Sequence, residues 1–237
     1  MIFGDPLMNV IQTPLLTAAL FISGILTNLA THAQTAPSAS DYTGYSSFLR
    51  AVYNGNLSTT RQMIESGQPL DETDNSKRTA VHIAAFQSHD EILELLVESG
   101  ADINALEYMQ YDVITIAAVA NDIDIMKLAL RLGGNPKNVT SLYEGTALIA
   151  AAHLGHAEVV RLLLEAGAPV DHVNNLGWTA LIEAVILGNG DDRYVNTVKH
   201  LLTHNANPDI PDRQGRTPLD HARSLGYQQL VELLEGE

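Results

Sequence analysis

One interval governs what this chain can fold into. Residues whose side-chain oxygen can accept a hydrogen bond recur at Ser46, Thr79, Asp112, Thr146, Thr179 and Thr217, at steps of 33, 33, 34, 33 and 38. Such residues suit the start of a helix, where backbone N–H groups lack partners. Two positions further on each unit places a large apolar residue: Phe48, Val81, Ile114, Leu148, Leu181 and Leu219. Five positions on stands alanine every time, at Ala51, Ala84, Ala117, Ala151, Ala184 and Ala222. Alanine in one fixed register predicts helix backbones approached closely by the neighbouring unit, because a larger side chain would force units apart.

Nine positions past each opener the pattern calls for a left-handed turn, supplied by Gly55, Ser88, Asn121, Gly155, Gly188 and Gly226. Gly and Asn reach positive φ at little cost and end helices, and Ser88 is the weakest member of the set. A second apolar helix follows, closed by Gly67, Gly100, Gly133, Gly167 and Asn205. Each unit thus reads as helix, tight turn, helix and extended connector. One unit cannot bury its apolar face, but a stack of six can.

The stretches "RTAVHIAAFQSHDEILELLVESGADIN" (Arg78 to Asn104), "GTALIAAAHLGHAEVVRLLLEAGAPVD" (Gly145 to Asp171) and "GRTPLDHARSLGYQQLVELLE" (Gly215 to Glu235) resemble ankyrin repeats. The resemblance spans about Tyr45 to Glu237, and "GWTALIEAVILGNG" with a lengthened fifth unit is similar to bacterial members of that family. It implies an all-α ankyrin-repeat solenoid of about six helix-turn-helix repeats with hairpin-like connectors. The first unit departs most, with Thr59, Thr60 and Gln62 at positions apolar elsewhere, and the last carries Arg223 and Glu235. Polar outer faces are what the terminal units of a stack require.

The first forty residues differ: they hold no Lys or Arg and one acid, Asp5. An apolar run from Leu15 to Leu26, too short to span a bilayer comfortably, precedes small polar residues and a plausible cleavage point after Ala33. Residues 1–33 read as a signal peptide without the usual positive start, 34–44 as a linker and 45–237 as the repeat domain. Periplasmic export is therefore expected, with a membrane anchor from an uncleaved leader as the alternative; Met8 is an alternative start. After leader removal no stable membrane insertion is expected, and a monomer is.

With 28 acids against 13 bases the chain carries a net charge of −15, which favours a basic partner over nucleic acid. Cysteine is absent, which excludes disulfides, thiolate metal sites and a cysteine nucleophile. His153 and His156 form a His-x-x-His, but Gly155 breaks the helix between them, so the rings need not share a face. By the resemblance, a histidine at the position of His156 is structural, and His82, in a Thr-x-x-His, bridges neighbouring units. His200 and His204, four apart on one helix, are the better ligand pair and carry the alternative reading of a metal protein or metal enzyme. No nucleophile elbow, phosphate loop or catalytic acid pair is evident, and "GNGDD" has the wrong spacing for a calcium loop. The expectation is a non-enzymatic module without cofactors.

Function then falls to surfaces the repeat does not need for its own packing. The connectors of the middle units carry Tyr108, Met109, Tyr111, Leu142, Tyr143, Leu176 and Trp178, and the helix ends carry Phe86, His153, Leu154, Ile186 and Leu187. The outer connectors are polar, with Asn75, Ser76 and Arg78 at one end and Arg213, Gln214 and Arg216 at the other. An aromatic centre with a polar rim predicts a groove that holds a protein partner. Inhibition, immunity or protection of an exported enzyme is a narrower version. The five extra residues of the fifth unit, within "GNGDDRYVNTVK", are expected to lengthen the turn between its helices.

Overall fold

The computed structural model describes residues 36–236. A short helix, α1 (Ala39–Gly44), precedes six helix pairs: α2 (Ser47–Tyr53) with α3 (Leu57–Glu65), α4 (Ala80–Phe86) with α5 (Asp90–Glu98), and α6 (Val113–Ala120) with α7 (Ile123–Arg131). Then follow α8 (Ala147–Leu154) with α9 (Ala157–Glu165), α10 (Ala180–Ile186) with α11 (Asp192–Thr203), and α12 (Pro218–Leu225) with α13 (Gln228–Glu235). First helices pack on first helices and second on second, giving two parallel rows that share one core.

Each predicted opener sits immediately before its helix. Ser46, Asp112, Thr146, Thr179 and Thr217 accept from the amide three residues on, at 2.8–3.3 Å. Thr79 differs, because its amide donates to His82 Nδ1 at 3.1 Å. The register alanines are all buried, Ala51 at 7 % exposure and the other five at 0–1 %. Alanines line the first row, whereas the second buries Ile92, Leu96, Val160, Leu163 and Leu201.

Positive φ appears where the turns require it, Ser88 included at 51°. The fifth unit is the exception: Gly188 is not left-handed, and Gly190 takes that role at 73°. The insertion does not stay in the turn. Two of its residues delay the second helix, and three extend it, so that α11 has 12 residues where α3, α5, α7 and α9 have 9. Gly188 is needed for a different reason, since a Cβ there would lie 2.4 Å from the Ala184 carbonyl oxygen and 2.7 Å from the Tyr194 ring.

The signal-peptide expectation lies outside the described residues. The stretch expected as linker contains α1, capped by Ser38 and Asp41. Its residues lie over the first repeat: Tyr42, Tyr45 and Tyr53 form a ring cluster, and Asp41 pairs with Arg78 at 3.0 Å. Arg78 is therefore not part of an exposed rim. It is 2 % exposed, and Asp74 holds its Nε at 2.7 Å.

Candidate partner-binding surface

The connectors owe their shape to a residue five places before each opener. Asp74 Oδ1 accepts the amides of Ser76 and Arg78, Glu107 Oε1 those of Met109 and Tyr111, Asn174 Oδ1 those of Leu176 and Trp178, and Asp212 Oδ1 those of Gln214 and Arg216, all at 2.8–3.1 Å. Ser141 does the same more loosely, at 3.3 and 3.4 Å. In that connector Val139–Thr140 and Gly145–Thr146 form a two-stranded antiparallel ladder. The acceptor register Asp74, Glu107, Ser141, Asn174 and Asp212 was there to be read in the sequence.

Successive tips are also tied to one another. Tyr108 N donates to Ser76 O at 2.9 Å, Ser141 N to Gln110 O at 3.2 Å and Asn175 N to Tyr143 O at 2.9 Å. The guanidinium of Arg213 continues the thread onto Asn175 O. Backbone atoms are thereby engaged, and the tip side chains are left to the surface.

Of the predicted contact residues, Tyr108 is 66 % exposed and Leu142 48 %. Met109, Tyr143, Leu176 and Trp178 are half-buried in the same thread of tips. His153, Leu154 and Leu187 are half-buried at the ends of the first helices. Phe86 and Tyr111 lie partly against the core, where burial raises the Tyr111 hydroxyl above its ordinary range. Ile186 is buried, on a helix that packs against both α11 and α12, and serves the stack. Three exposed apolar residues escaped the sequence reading: Leu106, Val139 and Val173 lie on the leading arms of the same three connectors. Their signal was an apolar residue six or seven places before the opener.

The histidines staple repeats. His82 Nε2 lies 3.0 Å from Ala105 O in the next connector. Because the Thr79 amide donates to its Nδ1, His82 is neutral and donates through Nε2. Burial lowers its pKa accordingly. His89 reaches Tyr53 O at 3.2 Å and His156 reaches Ala118 O at 2.9 Å, each one repeat back. Burial lowers His156 as well. In the fifth repeat Tyr194, in the first turn of α11, takes this part and donates to His153 O at 3.1 Å. Tyr227 continues the series onto Gly188 O at 3.0 Å. His153 and His156 lie on either side of left-handed Gly155. His204 Nδ1 donates to the His200 carbonyl at 2.8 Å, closing its own helix. Among the described residues no group of three His, Cys, Asp or Glu is placed to hold a metal ion.

The profile of the family described as ankyrin repeats (3 copies) matches residues 12–107 and 114–210. The chain belongs to the ankyrin-repeat family. It is 28 % identical over 188 residues to the ankyrin repeat protein YahD of Escherichia coli (strain K12), covering 79 % of this chain and 93 % of that one. The crystal structure of an ankyrin repeat domain from Acinetobacter baumannii AYE superposes with a TM-score of 0.76 at 39 % identity, covering 80 % of this chain and 96 % of that one. A structure of a predatory endopeptidase from Bdellovibrio bacteriovorus in complex with immunity protein Bd3460 contains a chain that matches with a TM-score of 0.68. At 18 % identity, covering 81 % of this chain and 98 % of that one, this likeness is one of fold. The six ankyrin repeats here expose their large apolar side chains chiefly on the connectors that follow the second, third and fourth repeats, the sixth such residue being Leu225.

Proposed function

We propose that this protein is a non-catalytic binding module that holds a protein partner on the side of the stack formed by the connector tips and the first helices. One observation carries the reading. Five of the six large apolar residues exposed among the described residues, Leu106, Tyr108, Val139, Leu142 and Val173, lie on three consecutive connectors. Scattered apolar residues on a surface need no explanation, whereas a contiguous set marks an interaction site. The tips are already ordered by their own hydrogen bonds, so association costs little conformational entropy. We further propose that the module acts after export to the periplasm; the apolar run at Leu15 to Leu26 and the small residues before Gln34 support this.

The test is capture from a bacterial envelope extract by the wild-type chain and by the Tyr108→Ala, Tyr143→Ala double variant. Loss of capture with unchanged thermal unfolding supports the proposal. A large fall in melting temperature with unaltered capture defeats it. A single stoichiometric partner points to inhibition or protection of one enzyme, and a broad set to general stabilisation.

A further inference from the structure

Glu183 occupies a helix position where the other repeats hold Arg50, Ile83, Ile116, Ala150 and His221. Its residue is 3 % exposed. Two side chains hold the carboxylate: Asn174 Nδ2 donates to Oε1 at 3.0 Å, and His153 Nδ1 lies 3.0 Å from Oε2. Among the described residues no arginine or lysine pairs with it, and its one side-chain contact that can carry positive charge is His153. A buried carboxylate is unfavourable unless hydrogen-bonded and charge-compensated. His82, His89 and His156 reach backbone carbonyls, whereas His153, like His221 on Asp212, reaches a buried acid.

His153 is 24 % exposed and connects that acid to the surface. With Nδ1 turned inward to Glu183, the outward edge of the ring carries Nε2. Leu154 follows it on the helix, and the connector that supplies Asn174 also carries half-buried Leu176 and Trp178. An imidazole whose Nδ1 donates to a carboxylate offers its other nitrogen to a hydrogen-bond donor, and a cationic donor also offsets the buried charge.

We propose that His153 and Glu183 form the polar anchor of the binding surface, and that the partner segment places an arginine or lysine on His153 Nε2 with apolar residues on either side. This rests on the protein-binding reading above. The net charge of −15 favours a basic segment over an acidic one and opposes a second copy of the chain as occupant.

The experiment pans random dodecapeptides displayed on phage, at pH 8, against the full wild-type chain and against His153→Asn and Glu183→Gln. Asparagine keeps an amide donor toward Glu183 and removes the outward nitrogen; glutamine keeps the shape of the acid and removes its charge. Wild-type protein should enrich clones that share an Arg or Lys between apolar residues. A synthetic peptide of that consensus should bind both variants roughly tenfold or more weakly, with both variants folded by circular dichroism. A consensus without a cation, no consensus on wild type, or equal binding to the variants overturns the proposal. Enriched clones that lack a cation but are lost with Tyr108→Ala would overturn it and leave the protein-binding reading standing.

Discussion

Tyr194 is the residue through which the insertion in the fifth repeat acts on the stack, and its removal has a calculable effect. The side chain is 8 % exposed, its hydroxyl donates to His153 O, and its ring stands 3.1–3.3 Å from where a Cβ on Gly155 would lie. Tyr194→Phe removes one hydrogen bond and leaves a terminal helix carbonyl without that donor, a loss of about 0.5–1.5 kcal/mol. Tyr194→Ala also empties the space between the fourth and fifth repeats, and aromatic-to-alanine changes in cores cost about 3–5 kcal/mol. At about 2–4 °C per kcal/mol for a domain of this size, the alanine variant should melt roughly 6–20 °C lower and the phenylalanine variant only a few degrees lower. Because each repeat contacts only its neighbours, the damage is confined to one interface, and the fifth and sixth repeats should lose amide protection before the first three. Thermal melts with hydrogen exchange read both effects. If the alanine and phenylalanine variants melt within about 1 °C of each other, the ring does not join the repeats and the insertion has no packing role.

Other perturbations follow from the same contacts. Ala151→Leu, at a site with 0 % exposure between neighbouring helices, should destabilise by about 1–3 kcal/mol, whereas Ala150→Leu, half-buried beside it, should have a smaller effect; equal denaturation midpoints would refute the alanine seam. Arg78→Ala breaks a buried ion pair with Asp74 and frees Asp41, at about 3–5 kcal/mol, and should expose the chain ahead of Tyr45 to protease; unchanged resistance would refute the role of α1 as a cap. Burial lowers the pKa values of His82, His156 and His221, so from pH 7 to 5 the unfolded chain binds more protons than the folded one and stability falls with pH. His156→Asn, which keeps a donor toward Ala118 O, should flatten the dependence of melting temperature on pH; a profile that rises toward pH 5 would refute the assignment. Burial alone would raise Asp212, but hydrogen bonds from the Arg216 amide, His221 and the Gln214 amide hold it below its ordinary value of 3.8, so it adds to the loss only in more acid solution.

The capping openers, the buried alanines and the staple at His82 were legible because each repeat solves the same local problem with the same kind of residue. Features that break the period were not. Arg78 looks like a surface cation until a helix outside the repeat covers it. The five inserted residues read as a longer turn, yet three of them lengthen α11, from whose first turn Tyr194 reaches back to His153. Glu183 and His153 are thirty residues apart, and only the stacking of two repeats makes them neighbours. On the surface, Tyr108 and Leu142 were legible from their place at the tips, whereas Leu106, Val139 and Val173 were not, because an apolar residue ahead of the tip reads the same whether it packs inward or faces solvent.

The thread of amide-to-carbonyl bonds from Tyr108 to Ser76, Ser141 to Gln110 and Asn175 to Tyr143 divides labour within single residues. Cohesion draws on main-chain atoms, which every amino acid except proline supplies alike, while recognition draws on whatever projects beyond Cβ. Exchanging the side chains at positions 108 and 142 therefore leaves the lattice that orders them intact, and the molecule can be retargeted without being refolded.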